Sequence, residues 1–120
     1  MLYNVFRKRY VRTLPHEAEF NIWRRNLSDT DYDAVCIALL QHFDDNEVST
    51  SSWIPGNDWI ETVYEPLYRA CGNNVEASGL FFGLIVFKLL MENTDDVWGF
   101  VRAEEPIKGK TYFRLNTIPA

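Results

Sequence analysis

The sequence predicts an α+β fold, a helix-rich single domain closed by a C-terminal β-hairpin. Three observations carry this. An apolar pattern of helical period covers residues 31–43, and a nearly continuous apolar stretch of helical length fills 75–91. Two short runs rich in aromatic and β-branched residues, 97–103 and 111–116, then flank a polar segment. At 120 residues the chain has the size of one domain with one core and is too short for two. Hydrophobic residues are 47% of it and aromatic residues 15%, which excludes a disordered chain, because burial on that scale offsets the conformational entropy lost on folding.

Each element has its own signal. Residues 2–11 (LYNVFRKRYV) have the composition of a short strand, although their alternation is poor. Pro15 suits the first turn of a helix over 15–27, in which Phe20, Trp23 and Leu27 form a narrow apolar stripe. Ser28, Asp29 and Thr30 are cap candidates for the next helix, whose first turn holds Asp31 and Asp33 where the helix dipole favours negative charge. Tyr32, Val35, Cys36, Leu39, Leu40 and Phe43 form its apolar face, and the acidic group Asp44, Asp45, Glu47 predicts fraying near Phe43.

Residues 48–59 start as a short strand and turn at Pro55-Gly56. Thr62 and Glu65 have the spacing of a capping box for a short helix over 63–71, which Gly72 ends. Asn73 with Glu76 opens the helix over 75–91, whose interior, ASGLFFGLIVFKLLM, carries Lys88 as its sole charge and must be covered on most sides. It falls short of the ~20 apolar residues that span a bilayer, so a buried helix is expected rather than a membrane segment. The hairpin at 97–116 has EEPIKGK as its tip.

No linker divides the chain, which is read as one domain over 1–120, with a strand-and-helix extension at 1–30 and a core at 31–116. Within that core the order is helix, short strand, short helix, long helix, strand, wing-like loop, strand. This order resembles the winged-helix fold. The resemblance rests on element order and spacing, and it implies a winged-helix-like architecture without fixing a function.

Charge and cysteine usage narrow the functional classes. The formal net charge of −5 is uneven: residues 1–27 hold six basic against two acidic groups, and the remainder holds six basic against fifteen acidic. An acidic body argues against general affinity for nucleic acid, leaving the basic leading segment as the exception. Cys36 and Cys71 lie in apolar helical patterns and read as reduced core residues of a cytoplasmic protein. MLYNVFRKRYVR places its charges after a very short apolar stretch, the reverse of a secretory signal, so export is not expected.

No motif for chemistry stands out. His16 and His42 are isolated, the cysteines are not in CxxC, and Lys108-Gly109-Lys110-Thr111 has the ending of a P-loop without its upstream glycine, since Glu104 stands there. The chain is therefore expected to be no enzyme and to carry no cofactor and no metal. The best candidate ligand site is the turn bearing Trp53, Asn57, Asp58 and Trp59, where two indoles could stack a ring; the plainer reading is that they pin the loop to the core.

Two partner classes remain, and no membrane partner is expected. The apolar content of Leu80–Met91, with Trp23, Trp98, Tyr112 and Phe113, is large for so small a domain and points to a protein partner or a second copy of the chain, through the long helix or the hairpin edge. The small residues Ala77, Ser78, Gly79 and Gly83 would let another backbone approach. The alternative is a winged-helix DNA-binding protein that uses a basic arm (Arg7, Lys8, Arg9, Arg12) and a wing (Arg102, Lys108, Lys110, Arg114). The expected function is accordingly a protein-interaction or regulatory module.

Overall fold

A helix that is apolar almost all round has to be enclosed, and that requirement organises the chain. The computed structural model describes residues 1–51, 54, 55, 59–102 and 109–119. It is a mixed α+β domain of four helices and a five-stranded sheet. In chain order the elements are β1 (Leu2–Asn4), β2 (Arg9–Val11), α1 (Glu17–Arg25), α2 (Asp29–Asp45), β3 (Val48–Thr50), α3 (Glu65–Ala70), α4 (Val75–Glu92), β4 (Trp98–Arg102) and β5 (Lys110–Arg114). The central helix is α4: Phe81, Ile85 and Val86 are wholly inaccessible, and α1, α2, α3 and β1 all pack against it.

Several local signals hold and several need correction. Ser28 caps α2 by accepting the Asp31 amide, and α2 runs on through Asp45 instead of fraying at Phe43. Its buried stripe is narrower than the sequence suggests, being Val35, Leu39 and Phe43, while Leu40 faces outward. The cap of α4 is Asn74, whose Oδ1 accepts the Ala77 amide; Asn73 instead adopts a left-handed φ of 60°, continuing the reversal begun at Gly72. The expected capping box at Thr62 and Glu65 does not form. Thr62 Oγ1 accepts from the Tyr64 amide and donates to the Trp59 carbonyl, while the Glu65 carboxylate reaches back to the Glu61 amide. The helix then starts only at Glu65, because the preceding residues are held in a turn.

The leading segment is two strands rather than one. Asn4 Oδ1 accepts from the Phe6 and Arg7 amides at 3.1 Å each, Lys8 donates to the Asn4 carbonyl at 2.8 Å, and Lys8 takes a φ of 55°. This side-chain-braced turn folds β2 back onto β1.

The strand order is β2-β1-β4-β5-β3, with β1 parallel to β4 and the other pairings antiparallel. Both strands of the C-terminal hairpin are therefore interior, and the edges are the three-residue strands β2 and β3. Opposed residues share a face of the sheet. The inner face carries Leu2, Trp98, Phe100 and Tyr112, which pack on the helices through ring contacts such as Phe43–Trp98 at 5.2 Å and Phe87–Phe100 at 5.5 Å. Trp98 and Tyr112 are 1% exposed, so neither belongs to a surplus apolar surface.

Two glycines separate packing from propensity. A Cβ on Gly99 would come within 2.5 Å of the Phe113 ring, which lies over that position of the sheet, whereas one on Gly79 in α4 would meet nothing within 4 Å. We expect Gly99→Ala to lower stability by about 1–2 kcal/mol, because the ring must shift, and Gly79→Ala to raise it by about 0.5–1 kcal/mol by stiffening the unfolded chain. Urea denaturation of the two variants beside the parent checks both signs.

Candidate interaction surface

The sheet's outer face is the exposed broad surface that the topology creates. One row crosses all five strands: Tyr10, Tyr3, Gly99, Phe113 and Val48. A second row holds Val101, Thr111 and Thr50. None of these side chains is charged. Tyr3 and Tyr10 meet edge to face at 5.2 Å, and the Thr50 and Thr111 hydroxyls satisfy each other at 2.9 Å, so the polar groups here bond within the face. Val48 is 62% exposed, and Tyr3, Tyr10, Val101 and Phe113 are partly accessible. From β5 the chain continues through Leu115, which donates to the Val97 carbonyl, to Pro119, whose carbonyl accepts the Tyr10 hydroxyl.

The β1–β2 turn lies at one end of the sheet. Its Phe6 is 80% exposed, on a backbone held by the Asn4 side chain. A large aromatic side chain on a braced turn is costly in water and has little freedom to hide.

The charges are segregated between layers. The strands and the β1–β2 turn carry Arg7, Lys8, Arg9, Arg102, Lys110 and Arg114 and no carboxylate at all. The parallel pairing of β1 with β4 brings the turn to the same end of the sheet as Arg102 and Lys110, so five of the eight sequence candidates for nucleic-acid contact share one end. Arg102 and Lys110 are directly opposed. Burial and the Arg102 charge hold the Lys110 ammonium below its ordinary pKa, and it lies 5.8 Å from the Phe87 ring centroid.

The other candidates are placed differently. Arg12 follows β2 at the far end. Arg114 is used internally: it donates to the Phe43 carbonyl at 2.9 Å, stacks on Trp98 at 5.1 Å and sits 3.7 Å from Asp96. Lys108 lies outside the described residues, as do Trp53, Asn57 and Asp58. Trp59 is partly buried, packs on Phe82 at 6.0 Å and Tyr64 at 6.4 Å, and its carbonyl accepts from Thr62. That indole packs on α4 and on Tyr64, the residue that precedes α3.

The sequence left His42 isolated, but in the fold its Nε2 lies 2.8 Å from Ser49 Oγ, joining α2 to the edge strand β3. Among the described residues no carboxylate bonds this histidine, and no group of three or more His, Cys, Asp and Glu side chains is arranged to hold a metal. Both thiols are free; burial pushes Cys71 up to about 11 and raises Cys36 as well, which leaves neither as a thiolate nucleophile near neutrality. No described helix is long and apolar enough to cross a membrane.

No protein-family model, no curated protein and no solved structure matches this chain.

Opposed like charges on neighbouring strands destabilise a sheet. Replacing Arg102 by Ser should raise the melting temperature by about 1–3 °C at low salt, with the gain shrinking as salt screens the pair. Calorimetry at two ionic strengths checks it.

Proposed function

We propose that this protein is a non-enzymatic interaction or regulatory module that binds protein partners through the outer face of its sheet and the adjoining turn. The observation that carries the reading is the row Tyr10, Tyr3, Gly99, Phe113, Val48, an uncharged, partly accessible strip spanning the sheet beside the exposed Phe6. An apolar centre with charges kept to its margin is the anatomy of a protein-binding patch. The free thiols, Cys71 buried and Cys36 partly so, support a reducing, cytoplasmic setting.

A second reading has a specific observation in its favour. The arm cations Arg7, Lys8 and Arg9 share one end of the sheet with the wing cations Arg102 and Lys110, on strands without a carboxylate, as a polyanion would require. The order α2, β3, α3, α4, β4, β5 and the pairing β4-β5-β3 also support a winged-helix-like description of the core. Against duplex recognition stands α4. A DNA-binding winged helix lays that helix in the major groove, and here its exposed positions include Glu76, Gly79 and Leu80, with no cation among them. The protein-partner reading is the stronger one.

The two differ in their response to salt. Association through the apolar strip should persist from low to high salt and fall with Val48→Lys, whereas nucleic-acid binding should weaken steeply with salt and fall with Arg102→Glu. Light scattering across a salt series, beside titrations with duplex and single-stranded oligonucleotides, separates them. Tight, salt-sensitive oligonucleotide binding with no protein association would overturn the first reading.

A further inference from the structure

Arg102 on β4 and Lys110 on β5 are directly opposed, and both project from the helix-facing side of the sheet, the side that carries Trp98, Phe100 and Tyr112. Lys110 bears this out, since its ammonium lies 5.8 Å from the centroid of the Phe87 ring of α4. Among the described residues neither cation has an ion pair, and no strand carries a carboxylate.

Two opposed cations, one of them partly buried, cost a sheet stability, and charges withdrawn from water are ordinarily paired. The cost falls on Lys110, whose ammonium is held below its ordinary pKa by burial and by Arg102. What the pair lacks is a counter-ion. Beside it, Ser51 follows β3, and its buried Oγ accepts the Lys110 amide at 3.1 Å, which leaves the hydroxyl proton as a further donor. On the α4 side, Gly83 lies one turn before Phe87 on the same face, and a Cβ there would meet nothing within 4 Å. Arg7, Lys8 and Arg9 sit at the same end of the sheet and strengthen its positive field.

We propose that Arg102, Lys110 and Ser51 form an anion site that takes a phosphate monoester. The dianion matches the two opposed charges, and its terminal oxygens match a guanidinium fork, an ammonium and a hydroxyl. A carboxylate, with a single charge, would leave one cation uncompensated. The site lies on the other side of the sheet from the uncharged strip, so it stands or falls apart from the protein-binding reading of that strip. The same group can arrive on a small metabolite or on a phosphorylated side chain of a partner.

Thermal melting of the whole chain at about pH 8, in about 50 mM phosphate and in chloride of equal ionic strength, tests the site. Phosphate also stabilises folded proteins by exclusion from their surface, so the readout is the difference between the parent and its variants. With a dissociation constant of about 1–10 mM, the parent should melt about 3–8 °C higher in phosphate than in chloride. Arg102→Ser alters an exposed side chain, so the fold should survive, and it should lose at least half of that gain. Its expected advantage over the parent in chloride should then vanish in phosphate. Lys110→Gln should lose a similar share, whereas Arg12→Ser, at the far end of β2, should keep the full response.

Calorimetric titration with phosphoserine, and with a phosphoserine peptide beside its unphosphorylated form, separates the two sources. Equal affinity for phosphoserine and the peptide marks a small ligand, and a phosphopeptide bound at least about tenfold tighter marks a modified partner. A phosphate response equal in the parent, Arg102→Ser and Lys110→Gln overturns the proposal. Oligonucleotide binding without monoester binding also overturns it, and assigns the cations to the nucleic-acid reading. So does a parent that responds only once Glu104→Gln and Glu105→Gln are introduced, because carboxylates of the wing are then the counter-ions.

Discussion

The enclosure of α4 is the constraint on which the rest of this structure depends. Its interior offers apolar side chains around nearly the whole circumference, and each left in water would cost roughly 1.5–3 kcal/mol. No single neighbour can cover such a helix. Phe20 and Trp23 of α1 meet Phe81, Trp59 and Tyr64 cover Phe82, and Phe100 on the sheet covers Phe87, so three different parts of the chain close around one element. The leading strand is recruited for the same purpose. Leu2 is wholly buried on the inner face, and β1 packs against α4.

That recruitment sets the topology. For Leu2 to reach the core, β1 lies beside β4 and runs parallel to it, a pairing between segments almost the whole chain apart. Three consequences follow from this one choice. The C-terminal hairpin loses its free edge, the short hairpin β1–β2 provides a new one, and the basic turn is carried to the basic end of β4 and β5. Both edges that remain are three residues long, which limits the open ladder available to a foreign strand. The sheet is left with one uncharged face to solvent, a property of the assembled topology that no individual strand displays.

Legibility in the sequence followed the range of the physical signal. The helices α2 and α4 were readable because their apolar residues recur at helical spacing within one window, and the terminal hairpin because a polar stretch separates two aromatic runs. The split of residues 2–11 was not readable from a turn dipeptide, since VFRK contains no Gly, Pro or Asn-Gly; its sole signal was Asn4, whose side chain braces the turn. Thr62 and Glu65 had capping-box spacing, yet backbone geometry at Glu61, with a φ of 62°, diverted both side chains to other amides. Of the basic candidates, the sequence identified the residues but not their sorting. Parallel pairing gathers Arg7, Lys8 and Arg9 with Arg102 and Lys110, while burial reserves Arg114 for Trp98 and Phe43. The exposure of Phe6 was not legible because the residue lay within a stretch that read as a strand. An aromatic residue beside a run of cations, just after a turn-forming Asn, was the available clue.

A braced turn changes the energetics of recognition as well as its location. Ordering a flexible aromatic side chain on a mobile loop costs about 0.5–1.5 kcal/mol for the side chain alone, and more for the backbone, which a weak interface cannot easily offset. Here the Asn4 side chain and the left-handed Lys8 fix the backbone during folding, so that ordering cost does not recur on association. The adjacent cations act at longer range. The strands and the turn that hold them carry no carboxylate, so the field of Arg7, Lys8 and Arg9 is not cancelled by the elements that position them. A turn fixed in this way lowers the cost of any contact made through Phe6 without adding area to that contact.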